Sequence, residues 1–93
     1  MKFEFDPAKS SATKADPKRN FDFLEVQRVW LDPDAITGPA NVVDGETRWI
    51  IVGLLDTRPV SVIFTYRGEN TIRIISARPA REDERKAYEE QKG

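Results

Sequence analysis

Arg48-Trp49-Ile50-Ile51-Val52-Gly53-Leu54-Leu55 is apolar at nearly every position rather than at every second one, the mark of a strand covered on both faces. It opens a longer stretch, Thr47 to Arg78, in which three runs of β-branched and aromatic residues are separated only by turn-like breaks. The second run, Val60-Ser61-Val62-Ile63-Phe64-Thr65-Tyr66, and the third, Thr71-Ile72-Arg73-Ile74-Ile75-Ser76-Ala77-Arg78, carry polar residues at intervals and so leave part of one face open. Asp56-Thr57 and Arg67-Gly68-Glu69-Asn70 are the connecting turns, built from residues that tolerate left-handed backbone. The stretch predicts an antiparallel meander with the first run at its centre.

Working outward toward the N-terminus, Thr37-Gly38-Pro39 is expected in a loop, and Asn41-Val42-Val43 with the Asp44-Gly45 turn forms a hairpin arm that would make the sheet four-stranded. Asp32-Pro33-Asp34 terminates a helix expected from Phe21 to Leu31, where Phe23, Val26 and Trp30 fall at helical spacing and Leu24 and Leu31 widen the stripe. Either Asn20 or Asp22 caps it, the latter with Glu25 three residues on in a capping box. The acid-x-acid spacing of Asp32 and Asp34 suggests a magnesium site less than a turn, because no third ligand sits at a telling distance. A weaker helix carries Ala8 to Lys14, with Asp6 as cap, Pro7 at its first position and Asp16-Pro17 as its stop. Lys2-Phe3-Glu4-Phe5 alternates as a short strand does. Beyond the meander, Pro79 ends the third strand, and Ala80 to Gln91 reads as a helix with acids at its start and only Ala80, Ala87 and Tyr88 as an apolar stripe. These readings predict one α+β domain over residues 1–93, an antiparallel sheet of three to four strands with two N-terminal helices and one C-terminal helix.

The 93 residues include no cysteine and no histidine, which removes disulfides, thiolate chemistry and every Ser-His-Asp or Cys-His arrangement. No metal ligand set and no cofactor is expected. The start, Met1-Lys2-Phe3-Glu4, is too charged for a signal peptide, and no apolar run reaches the ~20 residues of a membrane span, so a cytoplasmic location without membrane attachment is expected. Although the net charge is −1, the window Arg58 to Arg81 holds Arg58, Arg67, Arg73, Arg78 and Arg81 against one acid, Glu69. Arginine is the side chain suited to gripping phosphate or carboxylate in two-pronged fashion, and the alternative is a solvated sheet face whose arginines pair with acids elsewhere.

Phe3-Glu4-Phe5-Asp6-Pro7-Ala8-Lys9 at the start, Phe21 with the helix ending in Asp32-Pro33, Val62-Ile63-Phe64-Thr65-Tyr66-Arg67-Gly68 in mid-sheet, and Ile72 to Ala80 with Glu84-Arg85 and Tyr88-Glu89 form a recognisable series. It resembles the BrnT-type toxins of bacterial type II toxin-antitoxin pairs, small ribonucleases with a RelE-like fold, over almost the whole chain. Where that family usually shows an asparagine and then Lys-His-Gly between its first two helices, this chain has Thr13 and Asp16-Pro17-Lys18, and Phe64 stands where tyrosine is frequent. The resemblance implies cleavage of RNA, neutralisation by a BrnA-type antitoxin with a ribbon-helix-helix part, and a tight heteromer, with a homodimer inside the complex left open. The alternative is a catalytically degenerate toxin-like module acting only in the antitoxin complex and in operon autoregulation. Arg73, Arg78 and Tyr88 are the candidate catalytic residues, and Lys9, Arg67 and Arg81 the candidate RNA contacts. For the general base Tyr88, Tyr66, Glu84 or a lysine stay open. Arg73 and Arg78 stand at odd spacing, on opposite faces of a regular strand, so they act together only if the strand departs from regularity.

Overall fold

The computed structural model describes residues 1–92. Its centre is a five-stranded sheet of β1 (Lys2–Phe5), β2 (Ile36–Val43), β3 (Glu46–Leu55), β4 (Arg58–Arg67) and β5 (Thr71–Pro79), in the order β1-β5-β4-β3-β2. The expected meander is present as β3-β4-β5, with turns at Asp56 and Gly68 in left-handed backbone (φ 59° and 69°). The expected three to four antiparallel strands are corrected to five strands in a mixed sheet. β1 lies beside β5 and runs parallel to it, pairing Phe3 with Ile72 and Phe5 with Ile74. The first run, β3, is covered as its apolarity requires, by the core over Ile51 and Leu55 on one face and by the C-terminal helix beside Ile50 and Val52 on the other, but the middle strand is β4.

Strand β2 also overturns an expectation, because Thr37-Gly38-Pro39 belongs to it rather than to a loop. Proline survives there because β2 is the outermost strand, where the missing N–H breaks no ladder, and the register shifts between Pro39 and Val42. The Asp44-Gly45 turn, both residues at positive φ, joins β2 to β3.

Helix α1 (Pro7–Ala15) begins as its signals dictate: the Asp6 carboxylate accepts from the Ala8 N–H at 2.9 Å, and the chain leaves helical backbone at Asp16. It docks through polar groups, since buried Ser10 accepts from the Phe23 N–H at 2.9 Å. The second expected helix is a correction. The capping box exists, with Asp22 and Glu25 accepting each other's backbone N–H at 2.7 and 3.1 Å. The segment it opens is a 3-10 helix, Glu25–Leu31, rather than an α-helix from Phe21. Its three-residue turn puts Val26 and Val29 on the sheet and leaves Leu24 and Leu31 exposed, 66% and 78%. The tighter turn matches a close approach: a Cβ built on Gly53 would lie 3.0 Å from Val29 Cγ1.

Phe21, Phe23, Val26 and Val29 pack on Ile51, Val62, Phe64, Ile74 and Ala77 to form the core, and Phe3, Phe5, Trp30 and Trp49 close its rim. That core covers one face of the sheet. On the other face lies α2 (Glu82–Lys92), whose Asp83, Glu84 and Ala87 bound a space of about 240 Å3 over Ile36, Gly38, Ile50 and Val52. Its apolar stripe is as narrow as the sequence indicates, and only Tyr88 is buried. No described helix is long and apolar enough to cross a membrane.

Candidate functional site

The core side takes Phe64, Ile74 and Ala77, so by alternation Thr65, Arg73, Ser61 and Arg78 point to the face that α2 covers only in part. Regular alternation would separate Arg73 from Arg78, but β5 is not regular. Ser76 pairs with Ile63 and Ile74 with Phe64, so Ile75 is an extra residue, and the bulge inverts the alternation. Both arginines therefore occupy the same face. They lie two rows apart, about 13 Å along the sheet at ~3.3 Å per residue, and their surroundings differ sharply.

Arg78 is consumed by the fold. Its Nη1 and Nη2 donate to the two oxygens of Glu84 at 2.6 and 2.8 Å, and the same carboxylate accepts from the Ser61 hydroxyl at 2.9 Å and the Arg81 N–H at 2.8 Å. The Arg78 guanidinium, helped by the Arg81 and Ser61 donors against the opposing effect of burial, pulls the Glu84 carboxyl down to about 2. Glu84 is thereby too weak a base for proton abstraction near neutrality. Tyr88 is likewise committed: its hydroxyl donates to Asp32 Oδ2 at 2.6 Å, and burial followed by the Asp32 carboxylate raises its pKa well above the ordinary phenol range, so it keeps its proton. Asp32 also accepts from the N–H groups of Leu54 and Asp34, each at 2.9 Å, and these bonds with that of Tyr88 outweigh burial and hold its carboxyl low. Glu84 and Tyr88, one helical turn apart, are the two polar anchors of α2.

Arg73 has a different setting. Across the open face its row reads Glu4 on β1, Arg73 on β5, Thr65 on β4 and, next to the Trp49–Phe64 pair, Arg48 on β3. Glu4 Oε1 lies 3.4 Å from Arg73 Nη1 and 3.9 Å from Nε of Arg67, which ends β4 on the same face. Both contacts are long, and all three side chains are substantially solvated. Thr65 is buried and donates to the Thr47 carbonyl at 2.8 Å, fixing the row at its middle. Arg48 Nε is buried without a hydrogen-bond partner among the described residues, its nearest carboxylate, Glu46, being 3.6 Å away. A guanidinium donor taken from water and left unpaired costs free energy.

The remaining candidates are scattered. Lys9 is exposed on α1 beside a shallow cavity of about 370 Å3 shared with Asp16, Arg19, Ile75 and Ser76. Arg81 is exposed just before α2. Tyr66 is 56% exposed, but its ring meets Trp49 and Phe64 edge-on, on the core side of the sheet. Arg58 donates to the carbonyls of Lys18 and Arg19 at 2.7 and 2.6 Å and stacks over Phe21, so it pins the Asp16-Pro17-Lys18 loop. Of the arginine window, Arg67 and Arg73 alone converge with each other. Sequence reasoning passed over Arg48 and Glu4 as site residues. The first is the polar break in an apolar strand, and the second became legible only once β1 was paired with β5.

A profile described as the ribonuclease toxin BrnT of type II toxin-antitoxin systems matches residues 5–84. The chain belongs to the BrnT family. The match runs from β1 into the first turn of α2 and takes in Arg48, Arg67, Arg73 and Arg78. BrnT proteins are ribonuclease toxins, and membership of a type II pair implies an antitoxin partner and RNA as target. A comparison with curated proteins gives no match. Arg67 and Arg73 lie on the open face of the sheet, and the Arg78–Glu84 cluster fastens the last helix beside them.

Proposed function

We propose that this BrnT protein cleaves single-stranded RNA on the open sheet face without a metal, using Arg73 and Arg67 to bind the scissile phosphate. The single observation that carries this reading is the row Glu4-Arg73-Thr65-Arg48, which sets guanidinium groups on solvated sheet surface, one of them with a buried, unpartnered Nε. Attack of the 2′-hydroxyl on phosphorus adds charge to the phosphoryl oxygens, and fixed two-pronged donors stabilise that charge without reorganising during the reaction. Lys9 and Arg81, both exposed, are candidates for contacts to more distant phosphates, and Arg78 holds α2 rather than touching RNA.

The partner is a BrnA-type antitoxin with a ribbon-helix-helix part, bound in the cytoplasm where the RNA target is met. The almost wholly solvated surface of α2 and the free edge of β2 are the surfaces open to it. The test is the purified chain, freed of antitoxin, incubated with unstructured RNA with and without a chelator. The expected result is cleavage in both, with 2′,3′-cyclic phosphate ends, and no cleavage of DNA, which lacks the attacking hydroxyl. Intact RNA would leave the degenerate antitoxin-binding module, the reading that the replacement of Lys-His-Gly by Asp16-Pro17-Lys18 favours. Cleavage abolished by the chelator would overturn the metal-free step.

A further inference from the structure

The geometry points to Glu4 as the general base that removes the proton from the attacking 2′-hydroxyl. This rests on the ribonuclease reading above and names the group that reading leaves unassigned. The chain has no histidine. Tyr88 is buried with its proton held by Asp32, Tyr66 is on the core side, and all four bonds to the Glu84 carboxylate are structural. Glu4 is different in each respect. Its neighbours Phe3 and Phe5 are fixed in the core rim by edge contacts with Trp30 and Phe23. A one-residue slip of β1 would bury the carboxylate and expose two aromatic rings, so its projection onto the open face is strongly specified. The register then places it opposite Arg73.

Stability does not account for it there. A half-exposed pair at 3.4 Å adds little to stability, because solvent screens it and ordering two long side chains offsets the attraction. Nor does binding, because a carboxylate among arginines opposes a phosphate. Its loose contacts, made by Oε1 alone, leave it free to move toward a substrate hydroxyl, unlike the tightly forked Glu84. The charged groups facing it are Arg73 from β5 and Arg67 from β4, the same groups that would hold the phosphoryl oxygens, so base and phosphate come within one side chain's reach.

In the step, the Glu4 carboxylate takes the 2′-hydroxyl proton as O2′ forms its bond to phosphorus. The P–O5′ bond breaks, the departing O5′ takes a proton from water, and Glu4 returns its proton to solvent. The products are a 2′,3′-cyclic phosphate and a 5′-hydroxyl.

The experiment compares Glu4→Gln, Glu4→Asp and Glu46→Gln with wild type by single-turnover cleavage across pH, by binding of a 2′-O-methyl RNA that cannot react, and by thermal melting. Glu46 is the comparator because it too lies beside an arginine, Arg48. Glu4→Gln should lose about 10² to 10⁴ in rate, bind the unreactive RNA at least as tightly as wild type, and lose the fall in rate on acidification. Glu4→Asp should recover part of the rate, and Glu46→Gln should cleave as wild type does. Cleavage by Glu4→Gln within about threefold of wild type, or a rate loss matched by parallel losses in RNA binding and melting temperature, overturns the assignment while leaving the ribonuclease reading intact. If wild type itself leaves RNA uncut, the ribonuclease reading falls and this one with it.

Discussion

Acidification should loosen α2 from the sheet through one carboxylate, and Glu84→Gln isolates the effect. Glu84 stands at about 2 in the folded chain against 4.5 when unperturbed. At 1.36 kcal/mol per unit that difference is an upper limit of about 3 kcal/mol of stability at neutral pH. The side chain is only 15% exposed, so little is discounted for solvent screening. Because the folded value is the depressed one, the contribution is complete above the unfolded value and is lost as pH falls from 4.5 toward 2. Linkage puts the loss at about 0.8 kcal/mol by pH 4 and about 2 kcal/mol by pH 3. Protonated glutamate and glutamine are near-equivalent here, so the gap in unfolding free energy between wild type and Glu84→Gln should shrink by those amounts on acidification. Every other carboxylate titrates in both proteins and cancels. Urea unfolding followed by the fluorescence of Trp30 and Trp49 at pH 7, 5, 4 and 3 measures it. A gap that stays constant over that range would refute the account of the anchor.

Tyr88→Phe should cost about 1.5–3 kcal/mol, since it strips the partly buried Asp32 carboxylate of a hydrogen bond, and should leave RNA cleavage per folded molecule unchanged; urea unfolding alongside a cleavage assay checks both. Gly53→Ala should destabilise by about 1–3 kcal/mol, because the new Cβ would stand 3.0 Å from Val29 Cγ1, 3.1 Å from Ala35 Cβ and 3.2 Å from Asp32 Oδ2. A melting temperature equal to wild type would show that the 3-10 helix gives way freely. Co-expression with the adjacent small reading frame should yield one species by size-exclusion chromatography, and separate elution at micromolar concentration would count against the antitoxin.

Local signals read well where local physics decides. Asp6 and Pro7 start α1, Asp22 and Glu25 close a capping box, and the apolar run Trp49 to Leu55 is an interior strand. The features that escaped depend on partners distant in sequence. Alternation in Lys2 to Phe5 shows a strand but not that it runs parallel to β5. Nothing in Thr37-Gly38-Pro39 says that it lies at an edge where proline is tolerated. The Phe23-Val26-Trp30 spacing fits an α-helix, yet close packing of Val29 on Gly53 accompanies the tighter 3-10 turn. At the site, the Ile75 bulge reverses a face assignment that simple counting would make, and Glu4 and Arg48 converge with Arg73 only through register. The arginine window was legible as composition. Which of its members are free required knowing that Arg78 meets Glu84 and Arg58 meets the Lys18 and Arg19 carbonyls.

The most direct test is the single-turnover rate of RNA cleavage, per folded molecule, for wild type, Arg73→Ala and Arg78→Ala. With Arg73 at the scissile phosphate and Arg78 fastening α2, Arg73→Ala should lose about 10² to 10³ in rate while melting close to wild type. Arg78→Ala, which leaves Glu84 uncompensated, should lose about 3 kcal/mol of stability and keep its rate. An Arg73→Ala protein that cleaves within about threefold of wild type, or an Arg78→Ala protein that folds normally and does not cleave, would contradict the placement of the site.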